Sequence, residues 1–107
     1  MTTGKPPLIT KTKGDVLRLT PKGNLVASTV EEHRTSMMKA LESARDKVVL
    51  DLASVEFIDS LGITLVLGLF KSCQKSGAAF SIEAVRPDIL RVFKLFNLTK
   101  FFPVSEA

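Results

Sequence analysis

Asp59 and Ser60 set a carboxylate beside a hydroxyl, directly ahead of the apolar run Leu61-Gly62-Ile63-Thr64-Leu65-Val66. Two kinds of chemistry suit such a pair at a helix start. A capping serine accepts a hydrogen bond from an amide of the first turn, which stabilises a helix by about 0.5–2 kcal/mol relative to alanine. The same hydroxyl can accept a phosphoryl group, adding a charge of about −1.5 to −2. The positive end of the helix dipole and its free amides would favour that anion. That charge would stand next to Asp59, and a partner docked there through apolar contacts would be expelled by repulsion and desolvation. The two uses are compatible, and the spacing alone leaves both open.

Other reaction centres find no support. A nucleophilic serine needs a base held by a third group, and the elbow motif needs Gly-x-Ser-x-Gly. Ile58 stands where the first glycine should be, and the single histidine, His33, is expected at a helix surface or boundary. No enzyme is expected. The one cysteine, Cys73, cannot form an internal disulfide and shares helical spacing with Val66, Leu69 and Phe70, which predicts core packing. A zinc site needs about four ligands, and glycine-rich phosphate loops are absent, so neither metal nor cofactor is expected. The formal charge of +4 is spread among acids, and the chain has no Trp or Tyr. That excludes the clustered, aromatic-interleaved surface of a nucleic-acid binder. No apolar run approaches the roughly 20 residues of a membrane span, and Met1 to Pro7 lacks the core of a secretory signal. A cytoplasmic protein without membrane insertion is expected.

At 107 residues the chain is long enough for one domain. Residues 1–7 read as a flexible leader and 8–107 as the domain. Leu8 to Thr12 and Val16 to Thr20 predict a hairpin around Lys13-Gly14, followed by a loop at Pro21-Lys22-Gly23-Asn24. Ser28 with Glu31, or Thr29 with Glu32, fits a capping box. Val30, Met37, Leu41 and Ala44 then recur at helical spacing. Val48 to Leu52 reads as a strand covered on both faces. Leu61 to Ser76 reads as a helix stopped by Gly77, and Phe80 to Val85 as the next strand. Pro87-Asp88 opens a third helix, Asn97 supplies its left-handed exit, and Phe101 to Val104 predicts a short edge strand.

The order β-β-α-β-α-β-α-β predicts an α/β domain, with a small, mixed but mostly parallel sheet and helices mainly on one face. Function in such sheets gathers where strand C-termini meet helix N-termini, and Ser60 falls at such a junction. The second helix carries Leu61, Ile63, Leu65, Val66, Leu67, Leu69, Phe70 and Cys73, more than one stripe can hold. The surplus must either pack against a neighbouring helix or form a partner surface near Ser60. Gly68, costly in mid-helix, predicts close packing against a backbone.

Val48-Val49-Leu50-Asp51-Leu52, Val55, Phe57-Ile58-Asp59-Ser60-Leu61-Gly62 and the helix ending in Lys75-Ser76-Gly77 together resemble the STAS domain family. The likeness runs from Leu8 to Val104 and is most specific in the strand-to-Asp-Ser-x-Gly-to-helix core. Free-standing bacterial members are typically anti-sigma-factor antagonists. The resemblance implies a non-enzymatic partner switch that binds a serine protein kinase, itself the anti-sigma factor, and so releases a sigma factor. Phosphorylation of the serine after the motif aspartate, here Ser60, ends that binding, and a dedicated serine phosphatase resets it.

Asp59, Ser60, Leu61, Gly62, Ile63, Leu65, Asn24 and Val26 are the implied partner-binding positions. Three departures stand out. Leu61 replaces the family's second hydroxyl, leaving Ser60 as the motif's only acceptor. Val26 occupies the place of a frequent aspartate, and only Ser105-Glu106-Ala107 remain for a closing helix. The alternative is a constitutively bound STAS subunit of a lipid-transport ATPase or a stress-sensing complex, with Ser60 only a cap.

Overall fold

The computed structural model describes residues 8–44 and 46–106, so the leader expected over 1–7 lies outside them. Strands β1 (Leu8–Lys13) and β2 (Val16–Pro21) form an antiparallel hairpin, its turn made by Gly14 at φ 61°. Helix α1 (Val30–Ala40), strand β3 (Lys47–Asp51), helix α2 (Ser60–Ser76), strand β4 (Ala79–Val85), helix α3 (Pro87–Leu95) and strand β5 (Val104–Glu106) follow. The five strands lie in sequence order, and every neighbour after the hairpin is parallel. Each right-handed crossover therefore steps the same way, which puts all three helices on one face. This is the predicted α/β architecture.

The helix-facing side of the sheet supplies Leu17, Leu19, Val48, Leu50 and Ile82 to the core, against Met37, Leu65, Val66, Leu69 and Phe93 from the helices. On the opposite face Arg18, Val49 and Ser81 stand in register across β2, β3 and β4. The Arg18 guanidinium donates to Asp51 Oδ2 at 2.9 Å and to Glu83 Oε1 at 2.5 Å, tying three strands together. Glu83 first, then Asp51, holds the Arg18 pKa above its usual value despite partial desolvation.

Four local expectations are corrected. Neither capping box forms: Thr29 is the N-cap of α1 but makes no side-chain cap bond, because its hydroxyl turns back to donate to Asn24 O at 2.7 Å. The last strand begins at Val104, not Phe101, because Phe102 is withdrawn into the core. Its ring stands 5.1 Å from Phe80 and 5.2 Å from Phe70. His33 is buried, since it shares the inner face of α1 with Val30 and Met37. Gly68 is not pressed against a backbone: a Cβ there would meet only Met38 Cε, at 3.8 Å.

Candidate functional site

Beyond the C-terminal ends of the parallel strands, two loops are stitched into one surface. The segment between β3 and α2 runs alongside the segment between β2 and α1 as a parallel bridge, Leu25 to Ile58. Leu25 N donates to Phe57 O at 3.1 Å, and Asp59 N donates to Leu25 O at 3.2 Å. The Asn24 side chain completes the seam, its Oδ1 accepting from Glu56 N at 3.0 Å and Phe57 N at 3.1 Å. Both loops thereby satisfy backbone groups that would otherwise need water.

Asp59 is the hub of this surface. Its extended backbone makes it the N-cap of α2, and its Oδ1 accepts from both Leu61 N and Gly62 N at 3.0 Å. Oδ2 accepts from Ala27 N at 2.8 Å, across the seam. The Gly62 amide, then the Ala27 amide, hold the carboxyl below its usual pKa, so it is anionic at neutral pH. The expectation that Ser60 caps the helix is thus corrected. A carboxylate has two oxygens, so Asp59 caps α2 and holds the Ala27 loop at once, which one hydroxyl cannot do.

Ser60 is the first residue of α2, and it is exposed. Two of the amides expected to welcome a phosphate, Leu61 N and Gly62 N, already belong to Asp59. A third, Ile63 N, donates to Asp59 O at 2.9 Å. An anion added to Ser60 would therefore meet an ionised carboxylate whose compensating donors are engaged.

The other predicted positions divide by burial. Leu61 is 45% exposed beside Ser60, while Asn24 and Val26 are half-buried in the facing loop. Gly62, Ile63 and Leu65 turn inward, the last two at 4% and 0% exposure, and offer a partner no side chain. They belong to the core stripe of α2, which also takes Val66 and Leu69. Gly62 has a separate constraint: a Cβ there would stand 2.1 Å from Leu25 O and 2.6 Å from Ile58 Cγ1. Glycine lets the helix start approach the seam.

The surplus apolar surface of α2 is mostly absorbed by neighbours. Leu67 and Phe70 are partly buried against the core, Phe70 beside Phe80 and Phe102. Sequence reasoning missed Phe57, which is 64% exposed although its N–H and C=O are both bonded to the Asn24-Leu25 loop. The available signal was a large aromatic outside any strand or helix, three residues from Ser60. Among the described residues no cluster of three or more His, Cys, Asp or Glu is arranged to hold a metal. Cys73 is buried in the core, which pushes its thiol pKa up to about 11.

Residues 7–107 match the family model described as STAS domain. This chain belongs to the STAS domain family. The STAS chain is 28% identical over 92 residues to the anti-sigma F factor antagonist of Paenibacillus polymyxa, an overlap of 85% of this chain and 79% of that protein. Its fold matches the crystal structure of an anti-sigma factor antagonist from Mycobacterium paratuberculosis with a TM-score of 0.84. That match has 19% identity and covers 100% of this chain and 92% of the other. The unphosphorylated form of the anti-sigma factor antagonist SpoIIAA matches with a TM-score of 0.69 at 18% identity, over 94% of this chain and 88% of that one. Among the described residues no helix of this STAS domain is long and apolar enough to cross a membrane.

Proposed function

We propose that this STAS domain is a non-enzymatic, cytoplasmic anti-sigma-factor antagonist whose binding to a serine kinase ends when Ser60 is phosphorylated. The observation that carries this reading is the exposed Ser60 hydroxyl between exposed Phe57 and Leu61, on a backbone held by Asp59. Before modification the partner meets two apolar side chains and a neutral hydroxyl, with Asn24 and Val26 at the margin. Transfer of a phosphoryl group to Ser60 Oγ places a near-dianion beside the Asp59 carboxylate. Leu61 N and Gly62 N are engaged by Asp59, so much of the added charge is left to solvent and a docked apolar surface would have to desolvate it. A phosphatase that removes the group restores the binding surface.

Capping by Asp59 also weighs against the rival reading, a constitutively bound subunit in which Ser60 serves only as a cap. The cap exists without the Ser60 side chain. Intact-mass analysis of protein from native cells, with and without phosphatase treatment, tests the proposal. A phosphate-bearing species that maps to Ser60 and disappears in Ser60→Ala is expected. Its absence while the partner kinase is active would favour the constitutive subunit.

A further inference from the structure

We propose that the corner joining α3 to β5 docks on an anionic lipid surface. Among the described residues six large apolar side chains are exposed. Three of them, Leu95 at 75%, Phe96 at 53% and Phe101 at 58%, fall within seven residues. Scattered exposed apolar residues are ordinary, but such a concentration is not. Tight bonding holds the corner in shape: Phe96 N to Val92 O at 3.1 Å, Asn97 N to Lys94 O at 3.0 Å and Phe101 N to Leu98 O at 3.0 Å. Asn97 takes the left-handed conformation at φ 59°, and buried Leu98 anchors the turn. The apolar side chains therefore protrude from a fixed tip.

Charge decides what such a tip fits. From Ile89 to Val104 the chain carries Arg91, Lys94 and Lys100 and no acid. Lys71 adds a cation next to Phe70, whose ring lies 6.2 Å from that of Phe101. Glu106 is the acid placed nearby, in a shallow groove it shares with Pro87, Leu90, Arg91 and Lys94. Leucine and phenylalanine flanked by lysine and arginine suit the lipid–water boundary, where apolar side chains enter the interface and cations meet anionic headgroups. A second copy of the same corner would oppose cation to cation, which disfavours self-association. A convex tip also needs no matching pocket in a lipid surface.

The contact is adsorption of side chains, not a membrane span. Phe70 lies ten residues along α2 from Ser60, about 15 Å at 1.5 Å per residue, so docking leaves the Asp59-Ser60 end in water. The full chain is tested by co-sedimentation with vesicles of phosphatidylcholine alone and of phosphatidylcholine with phosphatidylglycerol, at low salt. Binding is expected only to the anionic vesicles. Lys94→Ala with Lys100→Ala should weaken it by about 25-fold, at about five-fold per charge. Leu95→Ser with Phe96→Ser should abolish it, and Ile9→Ser, at an exposed apolar site in β1, should leave it unchanged. Thermal melts run alongside confirm that each variant is folded. No binding to anionic vesicles, or binding that survives Leu95→Ser with Phe96→Ser, overturns the proposal. So does a wild-type dimer that these two substitutions convert to monomer, because the corner would then face another copy.

Discussion

Three residues show how closely packing and chemistry are linked around the site. Gly62 and Gly68 lie in the same helix, yet alanine should act on them in opposite directions. At Gly62 a methyl group runs into the Leu25 carbonyl, a backbone atom that cannot turn aside, and a loss of about 1–3 kcal/mol is expected. At Gly68 the nearest neighbour is the flexible end of Met38, at 3.8 Å, so helix propensity dominates and a gain of about 1 kcal/mol is expected. Urea denaturation of the two variants checks both signs. His33 should mark the acid limb of stability. Burial lowers its pKa, against a smaller opposing effect of Glu32, and Nδ1 has no hydrogen-bond partner among the described residues. The unfolded chain therefore takes up a proton that the folded chain resists, so stability is complete above the unfolded value of about 6.5 and declines as pH falls below it. Melting temperatures from pH 7.5 to 5 should show this decline in the wild type and lose that part of it in His33→Leu.

At the scale of elements, the candidate surface around Ser60 depends on two loops acting as one. Asn24 and Asp59 cross the seam to backbone amides of the opposite loop, Asn24 to Glu56 and Phe57 and Asp59 to Ala27, and Lys22 Nζ donates across it to Ser54 Oγ at 3.4 Å. Asn24→Ala should lower protection of the Glu56 and Phe57 amides in hydrogen exchange while leaving the β3 and β4 ladder protected. Uniform loss of protection would mean that the seam is not a separate unit. This seam was largely illegible in the sequence. The strands and helices announced themselves through the β-prone run Val16 to Thr20, which the structure extends to Pro21, the apolar run at Val48–Leu52 and the Gly77 stop. A helix start was visible too, read at Leu61 with Ser60 as its cap, one residue later than the observed start at Ser60 with Asp59 as the cap. Asp59 won because its second oxygen had a use at Ala27, thirty-two residues away, and no local spacing rule reports such a partner. Phe57 was missed for a related reason. Its backbone is satisfied by the other loop, which frees the ring to stay in solvent.

For the whole molecule, the sequential strand order gathers the helices on one side and brings the starts of α1 and α2 together beyond the strand ends. The one-sided α/β design was legible from element order because the crossover hand is nearly fixed. The inward turn of Ile63 and Leu65, and the burial of His33, were settled by packing that periodicity alone left open. Fold and family place this protein in the STAS domain family, and under the proposed function the geometry at Ser60 gives a physical route from one covalent change to loss of a partner. The central claim is that phosphate on Ser60 converts an apolar docking surface into a repulsive one without unfolding the domain. Titration calorimetry of the purified partner kinase with unmodified and stoichiometrically Ser60-phosphorylated protein tests it most directly. Weakening by about 5- to 150-fold, the range typical of coupled switches, with an unchanged far-ultraviolet circular dichroism spectrum, is the predicted result. Equal affinity of the two forms would contradict it.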